Sequence, residues 1–273
     1  MFTVRSLGSG SSGNAMIVDD GATLVLIDCG VSFASIQRGL ASIHRRVEEM
    51  AAVLITHEHV DHVRALARLQ RAGVPVISTA GTARAADIST GPHETLGVGQ
   101  SVTVRTLSIT ALPVSHDAAE PCGFQIRSHA GCVTIVTDTG VASDTLHRPL
   151  AESDLIVLEA NHDIQMLKRG PYPAHLKQRV LSHQGHLSNE SCGETLATAL
   201  KSTRAPVTIW LAHLSAVNNR PDLAVSTVAA ACCRAQQHLV EALPRGRIGR
   251  IWQPGEQPPD RPTQLLLPGL AAG

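Results

Sequence analysis

The stretch His57-Glu58-His59-Val60-Asp61-His62 sets three imidazoles and two carboxylates within six residues. It follows Val53-Leu54-Ile55-Thr56, an apolar and β-branched run that predicts a buried strand. Behind it, Leu66 and Leu69 alternate with Arg64, Arg68 and Arg71, which predicts a helix over residues 63–72. The cluster therefore falls at the carboxyl end of a strand, where open α/β sheets place their sites. Crowded histidines repel one another once charged. A metal ion reverses that cost, because neutral imidazole and carboxylate are ligands it prefers. A plain surface loop does not need this crowding.

The spacing suits two ions. His57 and His59 are two apart, so an extended backbone points both to one side. This differs from zinc motifs that use histidines at i and i+4 of a helix. Asp61 and His62 are adjacent and are expected to point apart, reaching a second ion. Two-metal hydrolytic sites hold their ions roughly 3.5–4 Å apart. Six residues cannot complete two coordination spheres, so further ligands are required at other strand ends. Three positions qualify: His116 after Leu112-Pro113-Val114, Asp138 after Val133-Thr134-Ile135-Val136-Thr137, and His213 after Val207-Thr208-Ile209-Trp210-Leu211.

With these residues in order, the chain resembles the metallo-β-lactamase superfamily. The resemblance implies an α/β fold, a four-layer αββα sandwich with metals at one edge of two sheets. It implies that His57, His59 and His116 bind one metal, that Asp61, His62 and His213 bind the other, and that Asp138 bridges. No cysteine stands at a ligand position, unlike the antibiotic-hydrolysing branch and like the phosphodiesterase and nuclease branches. Ser6–Asn14, Leu158–Asp163, Gly170-Pro171-Tyr172-Pro173 and Leu181–Asn189 are together similar to the bacterial YycJ-like (WalJ) group. That group is associated with double-stranded DNA exonuclease activity of 5′ to 3′ polarity and with cell-wall and repair phenotypes.

Hydrophobic residues make up 43% of the 273, enough for a sizeable core, but aromatics are only 2%, so packing must rely on aliphatic side chains. Six cysteines show no framework, and Cys232-Cys233 are adjacent, which suits a reduced helix. No basic region leads into an apolar stretch at the N-terminus, and no apolar run is long enough for a bilayer. These features predict a cytoplasmic, reducing location without membrane contact. The 23 basic and 23 acidic residues cancel, whereas dedicated nucleic-acid binders are usually basic. Arg38, Arg45 and Arg46, or Arg64, Arg68 and Arg71, are candidates for a local patch or for ordinary solvated helix faces.

Two halves of strands and helices share one predicted site, so residues 1–252 are expected to form one domain. Helices are expected over 172–181, 189–201 and 221–239, and a continuous extended segment over 101–112. Residues 253–273 read as a Pro-rich tail. Within it, Gln264, Leu265 and Leu267 resemble the short Gln-Leu-x-Leu peptides that bind the bacterial sliding clamp. The alternative is that the tail docks on its own domain.

The implied chemistry is hydrolysis of a phosphodiester by a hydroxide made near neutral pH between two divalent ions, with zinc, manganese or iron all suited to the ligands. Asp138 sets the metal separation and Asp61 also orients the nucleophile. His186 is the expected proton donor to the leaving group. Ser188 reads as a helix N-cap whose neighbouring amides could hold a phosphate. Asn161, His162 and His183 are expected to line the substrate groove. Asp28 is expected to orient a ligand histidine rather than bind metal. The Gly/Ser-rich residues 9–14 are expected to approach phosphate through backbone amides. DNA is the leading substrate. A small or cyclic phosphodiester fits the neutral charge better, and a metal-stabilised interaction protein with weak catalysis is the reading from another class.

Overall fold

The computed structural model describes residues 1–203, 205–232 and 238–255. Fourteen strands run through them: β1 Thr3–Gly8, β2 Ala15–Asp19, β3 Leu24–Ile27, β4 Met50–Leu54, β5 Val76–Ser78, β6 His93–Thr95, β7 Ser101–Val104, β8 Leu107–Pro113, β9 Cys122–Ser128, β10 Gly131–Val136, β11 Leu155–Glu159, β12 Thr208–Ala212, β13 Leu239–Ala242 and β14 Ile251–Trp252. They form two seven-stranded sheets, ordered β14-β1-β2-β3-β4-β5-β6 and β13-β12-β11-β10-β9-β8-β7. The helices are α1 Phe33–Ala41, α2 Val60–Val63, α3 Leu66–Arg71, α4 Ala80–Ala85, α5 His147–Ala151, α6 Ile164–Arg169, α7 Ala174–Val180, α8 Asn189–Ala199 and α9 Pro221–Cys232.

The expected layers are present. Phe2, just before β1, and Val4, Ile27 and Leu54 of the first sheet pack with Phe124, Ile135, Val157 and Trp210 of the second in one buried cluster. Ile36 and Leu40 of α1 and Leu66 and Leu69 of α3 cover the outer face of the first sheet through Leu26, Val53 and Ile55. Leu196 of α8 and Val228 of α9 cover the second through Ile156, Leu158 and Ile209. Aliphatic residues dominate all three clusters, as the scarcity of aromatics requires.

Pairing direction decides where the site lies. In the first sheet β3, β4, β5 and β6 are parallel, and in the second β10, β11, β12 and β13 are. Parallel neighbours end on the same edge, so Asp28, His57, Asp138, Glu159 and His213 collect at one rim. Three of them leave their strands in left-handed backbone, with φ of 54° at Asp28, 55° at Asp138 and 54° at His213. Non-glycine residues seldom adopt that region, and they persist there only when their surroundings fix them.

The structure corrects several boundaries. The helix expected over 63–72 is two helices, α2 and α3. The chain breaks between them because Ala65 N donates to Cys29 O at 2.9 Å while Cys29 N donates to His62 O at 2.7 Å, pinning the histidine-rich loop to the end of β3. The extended segment over 101–112 is a hairpin that turns at Arg105, φ 52°. The helix expected over 221–239 ends at Cys232 among the described residues, and Leu239 instead begins β13, paired with Thr208. Apolar runs of this length do not reveal helix or strand until a partner is known. Cys29, Cys122, Cys132 and Cys192 are buried free thiols, and Cys232 is buried. No helix among the described residues is long and apolar enough to cross a membrane. The tail residues Gln264, Leu265 and Leu267 lie outside the described residues.

Candidate metal centre

All seven predicted ligand residues converge. The ligand atoms of His57, His59 and His116 lie within 4.8 Å of one another, as do those of Asp61, His62 and His213, and those of His57, His62 and Asp138. His57 Nε2 is 3.1 Å from His59 Nδ1. His62 Nε2 is 3.2 Å from Asp138 Oδ2 and 3.7 Å from Asp61 Oδ2. Asp61 and His62 were expected to point apart as neighbours. The first turn of α2 instead lets both reach one cluster, and Asn14 Nδ2 stands between them, 3.3 Å from the carboxylate and 3.0 Å from the ring.

The surrounding chain fixes these side chains. Asp28 Oδ2 lies 2.7 Å from His62 Nδ1, and its carboxylate also accepts from the Thr56 amide and hydroxyl. That is the orienting role expected of Asp28. A hydrogen bond at Nδ1 turns Nε2 of His62 toward the cluster. Gly30 abuts the other side: a Cβ there would lie 1.5 Å from the Asp61 carbonyl oxygen, so only glycine lets the loop close. His213 N donates to Ser9 Oγ at 2.8 Å.

Glu159 was not assigned a role from the sequence, yet it joins Asp138, His186 and His213 in a fourth cluster. It is fully buried. Its Oε1 lies 2.8 Å from His186 Nδ1 and 2.9 Å from His213 Nδ1. Its Oε2 accepts from the amides of Thr139 at 2.8 Å and Leu187 at 3.3 Å. The signal was the one that marked Asp138, a carboxylate closing an apolar run, here Leu155–Leu158.

Residues 23–211 match the family model described as the beta-lactamase superfamily domain. The chain belongs to the metallo-β-lactamase superfamily. It is 34% identical over 235 residues to exodeoxyribonuclease WalJ of Streptococcus pneumoniae, covering 83% of this chain and 87% of that one. It is 33% identical over 228 residues to exodeoxyribonuclease YycJ of Bacillus anthracis, covering 81% and 86%. Among solved structures, the metallo-β-lactamase fold protein YhfI of Bacillus subtilis superposes with a TM-score of 0.70 at 18% identity, covering 92% of this chain and 98% of that one. At that identity the superposition speaks to fold alone.

The charge pattern of this metallo-β-lactamase site suits a divalent cation. Asp28, Asp138 and Glu159 are buried together, and buried carboxylates need a compensating charge. Burial disfavours a charged His62, but Asp28 and Asp138 more than offset this and raise its pKa to about 10. Burial also opposes charge on His213, and Asp138, Asp61 and Glu159 carry it well above the ordinary value. Those protons occupy positions that ligation would claim, since a metal binds neutral imidazole and displaces them. Burial, reinforced by His62, holds His57 well below its usual pKa, so it is already neutral. His213 Nε2 and Asp138 Oδ2 are buried without hydrogen-bond partners among the described residues. Such orphans are costly unless something binds them, and both belong to the clusters above. The donor set therefore fits a divalent metal.

The residues expected around the substrate divide. His186 stands at the centre, its ring 21% exposed and within 5.2 Å of His116 and 5.1 Å of His213, centroid to centroid. His183 is exposed, on the loop that precedes it. Asn161 is buried, and its Nδ2 donates to His213 O at 2.9 Å. Ser188 is buried and caps α8 by accepting from Ser191 N at 3.1 Å. His162 is buried with neither ring nitrogen hydrogen-bonded. In the 9–14 loop, Gly10 N donates to Asn14 Oδ1, Gly13 N to Gly10 O, and Asn14 N across to Asp61 O. It braces the metal loop. Both arginine sets read as ordinary surface: Arg45 pairs with Asp19 and Glu49, Arg64 with Ser12 O, and Arg71 with Ala67 O.

Proposed function

We propose that this chain is a metal-dependent exonuclease acting on DNA, with residues 1–252 as its catalytic domain. One observation carries the reading: a histidine and carboxylate site without cysteine, on a chain 33–34% identical over most of its length to proteins named as exodeoxyribonucleases. His57, His59 and His116 would hold one divalent ion, and Asp61, His62 and His213 a second, with Asp138 between them. Zinc and manganese both suit this set, as does iron. Such ions, when bound, polarise a phosphoryl oxygen and acidify a water. The protein's own groups do the rest. Asp61 and Asp138 orient the attacking water. Glu159 accepts a hydrogen bond from His186 Nδ1–H and, against burial, favours the protonated ring, whose Nε2–H would pass its proton to the leaving oxygen. Asn161 and Ser188 hold the loops around that donor, and His183 lies at the entrance. A cytoplasmic location accords with the buried free thiols of Cys29, Cys122, Cys132 and Cys192.

The test is direct. Metal-loaded protein is incubated with end-labelled duplex DNA and, separately, with bis-p-nitrophenyl phosphate. Progressive loss from one DNA end is expected, together with hydrolysis of the ester. Cleavage of the ester alone overturns the DNA assignment in favour of a small-molecule phosphodiesterase, which the balanced charge of 23 basic and 23 acidic residues favours. Failure of both, with metal retained, leaves a metal-stabilised interaction protein. The tail motif Gln264, Leu265 and Leu267 is proposed to bind the sliding clamp, on its sequence alone. A synthetic tail peptide should bind the clamp and lose affinity on Gln264→Ala or Leu267→Ala, and equal affinity in both variants would sink the idea.

A further inference from the structure

Between Glu159 and His186 the chain leaves the metal centre and returns to it. The excursion is the α6–α7 hairpin, and residues 164–186 contain Lys168, Arg169, Lys177 and Arg179 but no aspartate or glutamate. In a chain whose charges cancel overall, that is a local excess beside the site. Helix α7 buries none of its residues. Short helices ordinarily depend on a packed apolar face, so what α7 presents outward is its distinguishing feature.

The hairpin is rooted on the loops that carry site residues. Arg179 pairs with Asp117 at 2.6 Å, next to His116. His116 Nδ1 lies 3.2 Å from the Gly185 carbonyl oxygen. Gly140, two residues beyond Asp138, approaches so closely that a Cβ would lie 2.4 Å from the His183 oxygen. Lys177 Nζ donates to Lys168 O at 2.8 Å and joins the two helices. Lys168 and Arg169 remain: both are exposed, and neither has an acidic partner among the described residues. Arg45, Arg127, Arg148, Arg220 and Arg250 each face a carboxylate, whereas Arg84 and Arg105 do not among the described residues, so what sets Lys168 and Arg169 apart is the rooting of their hairpin on the site loops. Cations left open on a scaffold fixed to the metal loops fit a repeating anion that extends past the reacting bond.

We propose that the α6–α7 hairpin is a clamp for the phosphate backbone of a nucleic acid substrate, with Lys168 and Arg169 as its contacts. The proposal rests on the nuclease reading. It explains how a chain of zero net charge holds a polyanion, by concentrating basic charge where the strand must pass. Phosphate contacts release counterions, and each is worth about 0.9 in the slope of log affinity against log salt for duplex DNA.

The experiment measures binding of a fluorescent duplex with hydrolysis-resistant phosphorothioate ends, as fluorescence anisotropy over a salt series. The variants are Lys168→Glu/Arg169→Glu and the neutral Lys168→Gln/Arg169→Gln. Arg84→Glu/Arg105→Glu is the control, at two exposed arginines outside the hairpin that carry the same charge change. The neutral hairpin pair should lower affinity on the order of tenfold and reduce the salt slope by about two. The reversed pair should do more, and the control should stay near wild type. Equal loss in hairpin and control variants would show only an effect of net charge and overturn the clamp. So would unchanged affinity and slope in a hairpin variant while the wild type still digests duplex DNA, and the nuclease reading would survive. A wild type that neither binds nor digests duplex DNA removes both.

Discussion

Asp138→Asn should reduce phosphodiester hydrolysis on the order of 10³-fold, the scale of losing a group that stabilises the transition state directly. Its carboxylate stands 3.2 Å from both His62 Nε2 and His213 Nδ1 and shares a cluster with His57, so it touches both halves of the centre. Asparagine is the informative replacement. Residue 138 has φ 55°, a conformation that asparagine tolerates and alanine does not, at a cost of about 1–2 kcal/mol. Asp138→Asn therefore removes charge without adding backbone strain, whereas Asp138→Ala combines the two. Both should be measured on bis-p-nitrophenyl phosphate beside metal content and melting temperature. The expected pattern is lost turnover and lowered metal content in a chain that still unfolds cooperatively. Wild-type turnover with unchanged metal content in Asp138→Asn would refute the site.

The second large effect is at Glu159. One oxygen faces the ring N–H groups of His186 and His213, and the other faces the amides of Thr139 and Leu187. All four are donors to a carboxylate that only accepts. Glutamine cannot serve them, because its NH₂ must face one donor pair or the other. Each donor left unsatisfied in this buried place costs about 1–3 kcal/mol. Glu159→Gln should therefore lower turnover about 10- to 100-fold, the range seen when a partner of a metal-ligating histidine is removed. His186→Ala should lower kcat more than it changes KM. In the double variant the losses should fall short of the product, because Glu159 acts partly through His186. Fully multiplicative losses would sever that link, and a change confined to KM would make His186 a binding residue.

Much of the centre was legible because strand ends announce themselves. His57, His116, Asp138 and His213 each close an apolar run, and runs of this kind become parallel or paired strands whose ends share a rim. Glu159 closes such a run too, but its meaning lay in contacts 27 and 54 residues away. In the 9–14 loop, read from the sequence as approaching phosphate, the amides of Gly10, Gly13 and Asn14 are bonded to Asn14, Gly10 and Asp61, partners the sequence did not reveal. Of the basic groups, Arg38, Arg45 and Arg46 and Arg64, Arg68 and Arg71 drew notice from the sequence. The α6–α7 group did not, because its significance comes from where the hairpin is rooted.

The sequence by itself determined the histidine and carboxylate types of the clustered residues, their order along the chain and the absence of cysteine among them. Side-chain chemistry belongs to the residue, and the strand pattern that delivers it is local. It also determined the four-layer sandwich, through the family it resembles. Tertiary structure alone decided which carboxylate steadies which ring, that Asp61 and His62 face one cluster, and that the cationic hairpin is rooted on the loops carrying His116 and Asp138. Those outcomes depend on contacts between segments far apart in the chain, here the rims of two sheets brought together by the core between them.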